Sequence, residues 1–289
     1  MKATLLTWLF LCLAIGAAAQ APILVAKSNA VDGLSPVALL YGDGSTMFSA
    51  SVPEADRSAA VLIAPVSLPR MSSELALQAY RGRSVLQAAT LVSYSANTRI
   101  SAQLPDTSQH GEFELERHYS APRTLEFKAV SFTGDGFVKS NIITRLLQSE
   151  VDQVQKDDNS LTAITPVNYK FSYKGTSQLD GRTVHAYQLK PRQKRAGLFR
   201  GRIYVDAYTG SLVRAEGRPV KSPSLFIKKI DFVQDYADIG PFTFPVHIHS
   251  EATARIVGRA IVDVYQRDYQ PVANAMANTA VAAHEVPAL

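Results

Sequence analysis

Between Asn168 and Gln270 the chain is cut into short runs that alternate apolar and polar residues: NYKFSYKG, RTVHAYQLKP, FRGRIYVD, SLVRAEG, SLFIKKIDFVQDY, FTFPVHIHSEATARI and RAIVDVYQRDYQ. A period of two is what a strand with one buried face requires, because successive side chains point to opposite sides of a sheet. The turn signals LDGR, AYTG and DIGP separate these runs. The intervals are too short for the crossover helices that parallel neighbours need, so the pattern demands an antiparallel meander.

The same rule extends upstream. In GEFELERHYSAP, Phe113, Leu115 and Tyr119 fall on one side and Glu112, Glu114, Glu116 and His118 on the other; in RTLEFKAVSF, Leu125, Phe127 and Ala129 oppose Glu126, Lys128 and Val130. SVLQAATLVSYSANTRISAQL alternates in part and reads as strand. Two segments break the pattern. MSSELALQAYRG carries a capping serine at 72 or 73 and apolar residues at helical spacing, predicting a short helix that stops before Gly82. GFVKSNIITRLLQSEVDQVQKDD places Val138, Ile142 or Ile143, Leu146 or Leu147, and Val151 on one stripe, with Lys139, Arg145, Glu150 and Asp152 on a polar face. The fold class is α+β: one antiparallel sheet, twisted or curled, with helices on one face.

The first 19 residues hold a positive start at Lys2, the apolar run LLTWLFLCLAIG and small residues at 17 and 19, the pattern of a secretory signal peptide. The apolar run is short for a membrane span and no stop-transfer flank follows it. Residues 20–71, rich in Ala, Ser, Pro and Gly, read as an extended segment, 72–271 as the folded domain, and 272–289 as a flexible tail. The expected location is the periplasm. Cys12 is the only cysteine and lies inside the apolar run. A mature chain without thiols excludes cysteine nucleophiles, thiolate zinc sites and iron–sulfur clusters. The net charge is +5, with a concentration of cations in KPRQKRAGLFRGR. That run is suited to anionic headgroups or to a solvated loop and strand edge, and without interleaved aromatics nucleic acid is not an expected partner.

One hairpin stands out. In RIYVDAYTGSLVRAEG, Ile203 and Val205 point to one face and Arg202 and Tyr204 to the other; the chain reverses at 207–209, and Gly210 supplies a positive φ. Leu212 and Arg214 are then expected on one face, Val213 and Ala215 on the other. With the preceding LDGRTVHAYQLKP and the later FTFPVHIHSE, this hairpin resembles the outer-membrane lipoprotein-sorting proteins of the LolA-like superfamily, in which I-x-V-D-x-x-T-G-x-x-V-R recurs. The matching positions are Ile203, Val205, Asp206, Thr209, Gly210, Val213 and Arg214.

The resemblance implies a curved antiparallel half-barrel whose helices cover an apolar concave face that accepts acyl chains. It implies an exported lipid- or lipoprotein-binding protein of the bacterial envelope, monomeric, without a cofactor or catalytic residues. Its partners would be lipoprotein acyl chains or lipid; the alternative is a sensor module that docks an envelope partner protein. Candidate cavity residues are Leu115, Phe127, Ile142, Leu146, Phe171 and Ile203. Among arginines, Arg81, Arg83 and Arg99 are candidates for a lid-closing role.

Chemistry has little foothold elsewhere. His247, His249 and Glu251 alternate along one strand face, as ligands in a metal site would, yet Phe242, Phe244, Val246 and Ile248 opposite them make this an ordinary half-buried strand. No metal is therefore expected. There is no nucleophile elbow, H-E-x-x-H, phosphate-binding loop or dinucleotide fingerprint. Tyr169, Phe171 and Tyr173, with Phe226, Phe232 and Tyr236, fit core packing and ligand lining equally well.

Overall fold

Ser72 opens the folded region by accepting a hydrogen bond from the Leu75 amide at 3.3 Å, the N-cap expected there. In the computed structural model, which describes residues 69–156, 159–221, 227–255 and 258–274, helix α1 then runs over Ser73–Thr90. The expected signal peptide, most of the extended segment, Phe226 and the tail beyond 274 lie outside the described residues. Helix α1 does not stop before Gly82. That glycine has no neighbour within 4 Å of a Cβ position, and its cost of about 1 kcal/mol is offset by contacts made one turn further on. Gln87 donates to the Thr243 carbonyl at 3.1 Å and accepts from the Thr243 amide at 2.9 Å, while Arg83 pairs with Asp238 at 2.9 Å.

Ten strands follow in one antiparallel sheet: β1 Leu91–Leu104, β2 Gln109–Ser120, β3 Thr124–Gly134, β4 Tyr169–Leu179, β5 Arg182–Pro191, β6 Phe199–Asp206, β7 Leu212–Pro219, β8 Ile227–Ile239, β9 Phe242–Ala254 and β10 Gly258–Ala273. Their spatial order is β3-β2-β1-β10-β9-β8-β7-β6-β5-β4. Three strands run out to one edge, a helical stretch leads to the other edge, and a seven-strand meander returns to pair β10 with β1. That stretch contains α2 Gly136–Val138, a π-turn at Lys139–Ile143, α3 Thr144–Lys156 and α4 Asn159–Thr162. The edges β3 and β4 do not pair with each other, so the sheet is curved and unclosed, as the half-barrel expectation requires. Register shifts in five of the strand pairs add local twist and bend.

One shift corrects the reading of the hairpin between Ile203 and Arg214. Tyr204 faces Arg214, but Val205 faces Leu212, leaving Val213 as the extra residue of a bulge. Leu212 therefore turns into the core with Ala215, and Arg214 turns out to pair with Asp235 at 2.5 Å. Strict alternation fails there because the bulge inserts one residue, and one residue reverses every later side chain.

Most buried apolar side chains of the strands pack with the helices. They form three clusters: one under α2 and α3 against β1, β2 and β8–β10; one under α1 against β4–β8; and one where the β1 start meets β3, β9, β10 and the end of α3. Among the described residues no helix is long and apolar enough to cross a membrane.

Candidate ligand-binding face

The hairpin tip anchors the first wall of the concave face. Asp206 Oδ1 accepts from the Tyr208 and Thr209 amides at 2.8 and 3.0 Å, and the Gly210 amide donates to the Asp206 carbonyl at 3.0 Å. Gly210 has a φ of +70°, and a Cβ there would lie 2.4 Å from Cβ of Ala79 on α1. The aspartate and glycine of the motif thus fold the turn and let it touch the helix. The Ala207 carbonyl accepts from the Met71 amide at 2.8 Å, and Tyr187 Oη donates to the Ser73 carbonyl at 2.5 Å, fixing the start of α1.

The six candidate cavity residues divide between two walls. Leu115, Ile142 and Leu146 are buried together beneath α3, with Phe127 half-buried beside them; Ile203 is buried beneath α1, with Phe171 half-buried at its margin. Leu115, Phe127, Phe171 and Ile203 reach the interface from strands and Ile142 and Leu146 from the helical stretch, and the six form two groups.

Two residues that the candidate list does not contain meet between sheet and helix. Glu150, expected on the polar face of α3, is 3 % exposed, and Arg117, between the inward-facing Leu115 and Tyr119 on β2, is 4 % exposed. Arg117 Nη2 donates to Glu150 Oε2 across the gap between sheet and helix. Burial works against the Arg117 charge, but the Glu150 carboxylate together with Tyr94 and Tyr269 outweighs it and holds the guanidinium protonated above its ordinary range. The guanidinium carbon lies 5.1 Å from the Phe127 ring centroid. Nearby, Tyr94 stacks on Tyr119 at 5.3 Å and meets Tyr269 at 5.6 Å. The alternation of β2 already placed Arg117 inward; a lone cation on a buried face was the available signal. Arg83 is engaged with Asp238, Arg99 with Glu112 at 2.7 Å on the surface, and Arg81 lies over Phe171 at 5.1 Å.

A polar seam separates the walls. Gln234 on β8 is fully buried, opposite Ile248 of the α3 cluster and between Phe232 and Tyr236 of the α1 cluster. Neither its amide nitrogen nor its amide oxygen has a hydrogen-bond partner, and the same holds for Tyr236 Oη, Thr98 Oγ1 and Gln153 Oε1. Burial raises the Tyr236 hydroxyl pKa well above the ordinary phenol value. Such groups cost about 1–3 kcal/mol each when left unpaired.

The histidine strand behaves as its alternation predicts. His247 and His249 share the outer face and both contact Asp263 Oδ1, at 3.1 and 2.8 Å; Glu251 pairs with Arg259 at 3.0 Å. Among the described residues no group of three or more His, Cys, Asp or Glu side chains is placed to hold a metal ion. Of the aromatic stripe, Tyr169 is fully buried and Tyr173 is 47 % exposed, so β4 leaves the core along its length.

The chain matches no family model and no curated protein. Among solved structures it is similar to an outer membrane lipoprotein-sorting protein domain from Vibrio parahaemolyticus, with 11% identity, a TM-score of 0.36, and coverage of 69% of this chain and 93% of that one. A LolA superfamily protein from Nitrosomonas europaea gives 11% identity and a TM-score of 0.34 over 69% of this chain and 93% of that one. The Mycobacterium tuberculosis lipoprotein LppX gives 9% identity and a TM-score of 0.27 over 70% of this chain and 98% of that one.

Proposed function

We propose that this chain is an exported envelope protein that binds the acyl chains of a lipid or lipoprotein against the concave face of its half-barrel and carries or presents them. The observation that carries this reading is Gln234: a side chain without exposed surface, with both amide atoms unpartnered, at the seam between two apolar walls. A core made only to pack on itself excludes such a group or pairs it. An amphiphile satisfies both parts of the face, its methylenes gaining about 0.8 kcal/mol each on leaving water and its ester or amide group meeting the seam. The resemblance of the 203–214 hairpin to lipoprotein-sorting proteins agrees with this reading.

The test is to export the chain to a bacterial periplasm, purify it without detergent, and apply native mass spectrometry followed by solvent extraction. A stoichiometric acyl-bearing molecule is expected. The Phe127→Asp/Phe171→Asp variant alters one half-buried position in each wall, and should lose that molecule while keeping its circular dichroism spectrum. Protein that is repeatedly empty, or a folded variant that retains its ligand, overturns the proposal.

A further inference from the structure

The outer face of the sheet carries an arrangement that folding by itself disfavours. Lys170 on β4 lies directly opposite Lys190 on β5, and Arg200 on β6 directly opposite Arg218 on β7. The β5–β6 register sets Gln188 opposite Arg202 and Leu189 opposite Gly201, so the next step brings Lys190 beside Arg200. Four cations thus stand side by side across four adjacent strands, a span of about 14 Å at ordinary strand spacing. All four are exposed, the chain neighbours Tyr169, Leu189 and Phe199 of the first three are buried, and Arg218 shares the side of Arg200 opposite it, which fixes the row on the face away from the helices.

Like charges directly opposite each other destabilise a sheet. Here the repulsion is relieved at one end only: Arg218 pairs with Asp231 on β8. Among the described residues no carboxylate pairs with Lys170, Lys190 or Arg200. Arg202 on the same face adds a fifth cation, with Glu216 opposite it. The loop after Lys190 extends the charge through Arg192 and Lys194, both exposed.

We propose that this row is a docking surface for an anionic lipid bilayer. The surface supplies positive charge spread over two dimensions on long flexible stems, which reach phosphate groups in a plane and need no groove. This inference concerns the face opposite the acyl-binding walls and does not rest on the reading of those walls.

Vesicle flotation tests it, using the purified chain with phosphatidylcholine vesicles and with vesicles containing phosphatidylglycerol. Binding is expected only with phosphatidylglycerol and should weaken as salt rises. A basic side chain near an anionic surface contributes about 1 kcal/mol, or roughly fivefold, so Lys170→Gln/Arg200→Gln should bind roughly 30-fold more weakly. That variant should melt no lower than the parent, because it removes like-charge contacts. Lys128→Gln/Arg267→Gln removes the same net charge from β3 and β10 and should bind nearly as the parent does. Equal loss in both variants, binding to phosphatidylcholine alone, or capture by soluble heparin without vesicle flotation overturns the proposal.

Discussion

Gly210 joins a backbone requirement to a packing one. A Gly210→Ala substitution asks an L-residue to adopt a φ of +70° and sets its methyl 2.4 Å from Ala79 Cβ. The expected loss is about 2–3 kcal/mol in urea unfolding; a loss below about 0.5 kcal/mol would show that the turn and α1 are not in contact. Tyr80 supplies a pH test. Burial pushes its hydroxyl up to about 12 from an ordinary 10. Between those values the unfolded chain releases a proton that the native state retains, so stability is complete below pH 10 and falls as pH rises toward 12. The slope is at most about 1.4 kcal/mol per pH unit for this group. Urea melts from pH 9 to 12 should show the decline, shallower in Tyr80→Phe; an identical decline in that variant would assign it to other groups.

At the scale of elements, the two long helices, α1 and α3, are attached differently. α1 is tied to backbone groups at both ends, through Ser73, Gln87 and the Thr90 carbonyl, which accepts from the Asn274 amide at 2.9 Å. α3 rests on apolar packing and on the buried link from Glu150 to Arg117. Removing one partner leaves a buried unpaired charge, so Glu150→Ala should cost about 3–5 kcal/mol, whereas Arg117→Met/Glu150→Leu should recover most of that loss. A double-mutant cycle by chemical denaturation measures the coupling, and additive losses would show that the pair does not act as a unit. Hydrogen exchange gives an independent view: amides of α3 should lose protection in Glu150→Ala before those of α1.

For the whole molecule, the proposed acyl binding predicts that stability depends on occupancy. If acyl chains occupy the concave face, stripping them by solvent extraction and refolding should lower the melting temperature, and adding the extracted material back should restore it by mass action. Gln234→Leu should separate the two roles of the seam. The stripped variant should be more stable than the stripped parent by about 1–3 kcal/mol, since an unpaired buried amide is gone. Its hold on an ester- or amide-bearing ligand should be weaker, as read by ligand exchange in native mass spectrometry. A variant that gains no stability when stripped would mean that Gln234 finds partners within the fold.

Local pattern determined much of this protein. Period two in the strands, a capping serine at 72 or 73, the amphipathic stripe from Val138 to Val151 and the glycine turn at 210 are written in neighbouring residues, and the antiparallel sheet with helices on one face follows from them. What pattern left undecided depends on residues distant in sequence. Helix α1 continues through Gly82 because Arg83 and Gln87 find partners on β8 and β9. Leu212 turns inward because Val213 forms a bulge against β6. Glu150 enters the core because Arg117, 33 positions earlier, is waiting on the inward face of β2. The six candidate ligand residues were legible as inward-facing, but only the tertiary structure divided them between two walls and set Gln234 at the seam. Alternation tells which side of a strand a residue is on; which strand, helix or charge it meets there is decided by how the sheet curls and where it bulges.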